Sequence, residues 1–403
     1  MTETICLYDS KPYETTFDAK VLSCEPDCGQ GVNQNTKPDG AKYKIILDAT
    51  QFFPEQGGQT PDRGTLGDAN VLDVQIQNGV ITHFTDKPLA IGQEVMGQID
   101  WDYRFSNMQQ HTGEHIFSGL THDKYGYDNV GFHLSDSVVT MDFDGPLTGE
   151  QIQELEMKVN EVIWKNIPVE ASFPDDETLK DLPYRSKKEL DGPIRIVTIP
   201  GVDVCACCAP HVNFTGEIGV FKVMNYQSYK GGVRISMLCG KRAVEAIQRQ
   251  QTTMTNLMND LSSSQEDLPQ HVQRLQKECQ DLRFHLSEIK EHMVMEQVEN
   301  TPEEQENAFI FMDGLDVRGM RNGVNKLMEK HPGFCGIFSG NDREGYQCII
   351  GSKTLNCKDL ATELRQSVGL RGGGSEAMIQ GNLPGSEEVI STAISRYHAK
   401  LTH

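Results

Sequence analysis

The chain lacks any run of the roughly 18 consecutive apolar residues that a membrane helix needs, so nothing in it reads as a membrane span. Its opening stretch, MTETICLYDSKPYETTF, has no cationic segment followed by an apolar core, which removes the pattern of a secretory signal peptide. Cysteines are 11, an odd number, and several stand alone among apolar residues. That distribution argues against a disulfide scaffold and for a reducing compartment, with the cytoplasm as the expected location. Positive charge is also scarce: 37 Lys+Arg against 58 Asp+Glu give −21. This excludes a nucleic-acid binder driven by bulk charge, because phosphate affinity comes from Lys and Arg. Binding follows local patches, however. Residues 301–403 hold 11 basic and 13 acidic residues, a balance of −2, and basic clusters occur at Tyr184-Arg185-Ser186-Lys187-Lys188, at Lys230 to Arg234 and at Lys241-Arg242.

What is present is the composition of an ordinary globular protein, 37% hydrophobic and 24% charged, in a chain of 403 residues that exceeds one core. Four segments are expected, together an α+β protein. Residues 1–100 read as a β-barrel-like subdomain, with short alternating runs such as Tyr43–Leu47 and Val71–Ile76 separated by Gly, Asn and Asp. Residues 101–240 mix helical and strand patterns. Helices are expected from Met108 to Leu120 and from Gln151 to Asn166, and strands at Val139–Phe143 and Ile194–Ile199. Residues 241–300 read as a helical hairpin. Val272, Leu275, Cys279, Leu282, Leu286, Ile289 and Met293 follow an a/d heptad stripe, either packed on the hairpin itself or serving as a homodimer seam. Residues 301–403 read as a small α/β domain of strand, helix, strand.

The chemistry concentrates in two short segments. His111-Thr112-Gly113-Glu114-His115 sets two imidazoles four residues apart, on one face of a helix. Cys205-Ala206-Cys207-Cys208-Ala209-Pro210-His211 brings thiols and a third imidazole to a proline turn. Imidazole with thiolate is a zinc set, expected to take one ion per chain, although three cysteines within four residues leave the choice of thiol open.

Several segments together resemble the editing modules of alanyl-tRNA synthetase. Phe53-Pro54-Glu55-Gln56-Gly57-Gly58-Gln59, followed by Asp62-Arg63-Gly64, is similar to their glycine-rich motif. His111 and His115 resemble the first half of their zinc site, and Cys207 to His211 the Cys-x-x-x-His half, which places the thiolate on Cys207. Gly231 to Ile235 resembles the basic strand that closes the domain. Arg371-Gly372-Gly373-Gly374-Ser375-Glu376-Ala377-Met378-Ile379-Gln380-Gly381 resembles the glycine-rich signature of the synthetase's C-terminal domain, which occurs in related phosphoesterases too. In this order, without an aminoacylation segment ahead of them, the motifs resemble a free-standing, long-form editing protein of the AlaX type.

That resemblance implies a zinc-dependent, ATP-independent hydrolase that deacylates Ser-tRNA(Ala), and Gly-tRNA(Ala) in some members, with mischarged tRNA(Ala) as its partner. Metal ligands are expected at His111, His115, Cys207 and His211. Glu114 is a candidate base or hydrogen-bond partner of a ligand, and Gln59 and His133 are candidate pocket residues. Gly57, Gly58, Arg234, Arg371, Gly372, Gly373 and Gly374 are candidate contacts to substrate or tRNA, the last three as a nest of amides for an anion. Two departures stand out. Cys208-Ala209-Pro210 replaces the glycines and threonine common between the ligands, which stiffens the loop and lets Cys205 or Cys208 compete for metal. The stretch Val130 to Ser135 lacks a threonine seen in some members. The other readings are an inactive, zinc-stabilised tRNA-binding or dimerisation module, a threonyl-type editing module, and a zinc peptidase of H-x-x-E-H pattern, for which a carboxylate ligand is missing.

Overall fold

A computed structural model describes residues 3–27, 40–186 and 193–402; Lys187 and Lys188 of the first basic cluster lie outside them. The chain divides into two compact units, Met1–Thr255 and Asn256–His403.

The first unit opens with six strands, β1 (Thr16–Pro26), β2 (Tyr43–Leu47), β3 (Gly64–Leu66), β4 (Ala69–Gln77), β5 (Val80–Thr85) and β6 (Glu94–Ile99). They close into a barrel in the order β1-β2-β5-β4-β3-β6, and closure leaves no free sheet edge. Strict alternation on β1 turns Phe17, Ala19 and Val21 inward, where they meet Ile45, Leu47, Val74 and Ile81. Asn78 and Gly79, both at positive φ, make the two-residue turn between β4 and β5.

After the barrel comes α1 (Trp101–Tyr125), with the Asp100 carboxylate accepting from the Tyr103 amide at its start and Gly126 in the left-handed region at its end. Then follow β7 (Asn129–Leu134), β8 (Val139–Phe143), α2 (Gly149–Lys165), β9 (Ile196–Ile199), β10 (Asp203–Ala206), β11 (Phe221–Tyr229) and β12 (Gly232–Cys239). β7, β8, β11 and β12 form an antiparallel sheet in the order β11-β12-β8-β7. Its core face packs with Met108, Ile116 and Phe117 of α1 and Ile152, Leu155, Val159 and Ile163 of α2. α1 is longer than the pattern predicts because its polar positions are buried too: Arg104, Asn107, Gln110, His111, Glu114, His115, Ser118 and Thr121 are all buried. A helix that is polar and yet buried must have a partner for each side chain.

α3 (Gly240–Asp260) leads out of this unit and α4 (Leu268–Asn300) belongs to the second, with Pro269 in its first turn. The predicted heptad stripe lies on α4 and stays exposed, with Leu282 62% and Ile289 57% accessible. Within its own unit, that stripe has no packing partner among the described residues. The opposite side of α4 buries Val294 and Val298 against Ile337, Met320 and Val324. The rest of the unit is β13 (Ala308–Phe311), α5 (Val317–Lys330), β14 (Cys335–Asn341), β15 (Gly345–Gly351), α6 (Cys357–Ser367), β16 (Arg371–Gly374), β17 (Met378–Leu383) and α7 (Glu387–Thr402). The sheet runs β13-β14-β15-β17-β16, parallel between β13 and β14 around α5 and antiparallel elsewhere.

Candidate metal centre

α1 places His111 and His115 on one side, one turn apart, and the chain following β10 returns Cys207 and His211 to them. The ligating atoms of His111, His115, Cys207 and His211 all lie within 4.8 Å of one another. Cys207 Sγ is 3.5 Å from His111 Nε2 and 3.3 Å from His211 Nε2. A tetrahedral ion bound at about 2.3 Å by sulfur and about 2.0–2.1 Å by nitrogen would hold these atoms about 3.5 Å apart, so the set fits zinc in both size and chemistry.

The hydrogen bonds behind the imidazoles decide their tautomers. His111 Nδ1 is 2.8 Å from Gln59 Oε1, an acceptor only, so Nδ1 carries the proton. His115 Nδ1 donates to Asp203 Oδ2 at 2.9 Å. Thr112 donates its one hydroxyl proton to the Met108 carbonyl at 2.8 Å, so its contact with His211 Nδ1 at 3.0 Å makes that nitrogen a donor as well. All three rings thus turn an unprotonated Nε2 to the centre, as metal ligation requires. Asp203 is itself held by Arg185, whose Nε and Nη2 donate at 2.8 and 2.9 Å. Burial alone would raise the Asp203 carboxyl; His115 and Arg185 outweigh it and bring it below the usual carboxylate range. Burial above all, with the Arg195 cation nearby, holds His211 well below the ordinary imidazole value.

Glu114 is not an exposed helix carboxylate. It is 1% accessible, its Oε1 accepts from Ser118 Oγ and Asn129 Nδ2, both at 2.6 Å, and its Oε2 lies 4.0 Å from His115 Nε2. Gln59 is fully buried; its Oε1 faces His111, and its Nε2 has no hydrogen-bond partner among the described residues. Gln56-Gly57-Gly58-Gln59 is a two-residue hairpin turn, with φ of 64° and 84° at its glycines. At Gly58 a Cβ would stand 2.3 Å from the Phe132 carbonyl oxygen. The close approach that glycine permits here is to β7 of the same unit, and it is what delivers Gln59 to His111.

Other candidates fall elsewhere. His133 is exposed on β7, whereas its neighbour Phe132 packs with its ring centroid 4.8 Å from that of His111; strand alternation sends consecutive side chains to opposite faces, so the pocket takes Phe132 and not His133. Arg234 is paired bidentately with Asp142, at 2.6 and 2.7 Å, and lies over the Tyr229 ring. Cys208 packs with the barrel core, and burial pushes its thiol up to about 12. Cys205 joins His115 and Asp203 in a second group of three, which shares His115 with the first. In the second unit, Arg371 to Gly374 are not a loop with an amide nest. They form the edge strand β16, and none of Gly372, Gly373 and Gly374 has a positive φ. A cleft of about 320 Å³ lies against Gly372, Gly373 and Gly381, bounded by Gln347, Gln380 and Asn382.

Sequence reasoning missed Thr112, Asp203 and Phe132. Of these only Asp203 carried a local signal, a carboxylate set in the otherwise apolar strand before Cys205. It also missed the fully buried pair of Arg104 with Asp62, in which Arg104 Nε meets both carboxylate oxygens at 2.9 Å and the guanidinium also donates to the Pro12 and Gln51 carbonyls. This pair ties α1 to the barrel.

Comparison with known proteins bears on the same segments. Residues 194–236 match the threonyl and alanyl tRNA synthetase second additional domain, and residues 5–103 match the class II (A) tRNA synthetases. The alanyl-tRNA editing protein Aarsd1 of Rattus norvegicus is 32% identical over 278 residues, 68% of this chain and 67% of that one. The alanyl-tRNA editing protein AlaX-L of Pyrococcus horikoshii is 26% identical over 437 residues, 98% of each chain. An alanine–tRNA ligase of Ignicoccus hospitalis is 28% identical over 414 residues, which is 98% of this chain but 43% of the ligase. Similarity this extended, at this share of both partners, makes the chain a member of the alanyl-tRNA editing protein family.

Proposed function

We propose that this chain hydrolyses the ester of wrongly charged tRNA(Ala), chiefly Ser-tRNA(Ala) and also Gly-tRNA(Ala), in trans at one zinc ion held by His111, His115, Cys207 and His211. The observation that carries this reading is the convergence of three imidazoles, each with its Nδ1 proton committed outward, on a single thiol. Zinc, when bound, supplies Lewis acidity toward the ester or its amino group. The residues supply the rest. The aminoacyl ester is already activated, so orientation and proton transfer suffice. Glu114, aimed by Ser118 and Asn129, accepts the proton of the attacking water at Oε2 and returns it to the ribose oxygen that leaves as the ester C–O bond breaks. Gln59 Nε2, a buried donor, gives its hydrogen bond to the seryl hydroxyl. Discrimination of serine from alanine follows from that donor, since a site built to bond the hydroxyl leaves its polar group unpaired when alanine occupies it. Glycine, which also lacks the hydroxyl, is the poorer substrate for the same reason.

For the second unit we assign Arg371 and the glycines of β16 to the body of the tRNA, which raises the effective concentration of the acceptor end at the zinc site. The exposed stripe on α4 we assign to a homodimer seam. The test of the main proposal is release of amino acid from tRNA(Ala) charged with serine, glycine or alanine. Rapid loss of serine with alanine spared is expected. Survival of all three esters would end the deacylase reading.

A further inference from the structure

Each imidazole of the cluster is aimed by a neighbour that holds its second nitrogen. A thiol has no second heteroatom, so its aim must be set through the main chain. The residue placed to do this is Arg195, which belongs to none of the motifs and is 6% accessible. Its Nη1 donates to the carbonyl of Cys207 at 3.1 Å and to that of Ala209 at 2.8 Å. Its own carbonyl accepts from the Cys207 amide at 3.0 Å. Cys207 is thus gripped on both sides of its Cα by one residue. Between Cys207 and His211 the only non-proline residues are Cys208 and Ala209, and the guanidinium pins the second of these by its carbonyl. Arg195 Nε faces the Asp9 carboxylate at 3.9 Å, which offsets part of its charge. A buried cation beside a centre that takes a divalent cation is electrostatically unfavourable. Its presence there is explained by the loop carbonyls it gathers.

We propose that Arg195 is a positioning residue that presents the Cys207 thiol to the metal, by folding the Cys207–Ala209 backbone around its guanidinium. This rests on the zinc reading above. The test measures zinc affinity of the full chain by chelator competition, and the absorption of the cobalt-substituted protein, for wild type, Arg195→Gln and Arg195→Lys, with folding followed by circular dichroism. Removal of a group that orients a ligand typically weakens metal binding about 10- to 100-fold. Arg195→Gln is expected to fall in that range and to weaken or shift the thiolate-to-cobalt band, with Arg195→Lys restoring part of both. If Arg195→Gln does not fold, the lysine variant decides: it must bind zinc more weakly than wild type. A folded variant with wild-type affinity and an unchanged cobalt band would overturn the inference alone. A wild-type chain that takes up neither zinc nor cobalt would overturn the zinc reading, and this inference with it.

Discussion

Two helices of this protein invert the usual rule of burial. α1 is rich in His, Gln, Ser and Thr and is buried on nearly every side, while α4 carries an aliphatic stripe that stands in solvent. Both are explained by partners rather than by hydropathy. α1 can be buried because its side chains meet matched groups on the barrel turn, on β7, on β10 and on the loop of Cys207. The stripe of α4 is exposed because nothing else among the described residues of its own unit packs on that face. Buried polarity marks the candidate site, and the exposed apolar stripe at heptad spacing is what motivates the proposed seam.

The comparison is broken most severely at Arg104, which matches α1 to the barrel. Arg104→Met leaves Asp62 buried without its cation, and loss of one partner of such a pair costs about 3–5 kcal/mol. Urea unfolding of the variant measures it; a cost under 1 kcal/mol would mean that the pair does not hold α1. Next is His83 inside the barrel, held by Thr50 and the Ile45 carbonyl and lowered by burial to about 4. Its folded value lies below the free imidazole value near 6.5, so its neutral form is favoured in the fold. Stability is then complete above about pH 6.5 and declines as pH falls toward 4, by about 3 kcal/mol. His83→Gln should flatten that decline relative to wild type; an identical pH profile would refute it.

Gly58→Ala tests the turn that serves α1. Its φ of 84° and the Phe132 carbonyl leave no room for a methyl, so about 1–3 kcal/mol and a weaker hold on zinc are expected, read from melting and metal content. The smallest change in stability belongs to α4. Leu282→Glu should alter unfolding within about 0.5 kcal/mol, as for other exposed positions, while halving the sedimenting mass through loss of the seam. An unchanged mass would remove the homodimer.

What was legible in the sequence was what is local. The strand Tyr43–Leu47 alternates, the α2 region shows helical spacing, and His111 and His115 share one face of α1; each of these lies where the pattern places it. The partners that aim the ligands are long-range and left no such pattern. Asp203 stands 88 residues from His115, and Thr112 stands 99 from His211. Gly372 misled for a related reason. Glycine signals a turn locally, yet here it is required because a Cβ would meet the Gln380 carbonyl oxygen of the neighbouring strand at 2.2 Å. His133 was one residue out of phase with the face that β7 turns to His111.

The most direct test of the central claim follows Ser-tRNA(Ala) deacylation and zinc content together, for wild type, for wild type stripped by a chelator and reloaded, and for Cys207→Ala. The account predicts one zinc per active chain, loss of at least about a hundredfold in rate on stripping or in the variant, and recovery on reloading of wild type only. Undiminished deacylation by the stripped chain or by Cys207→Ala would contradict it.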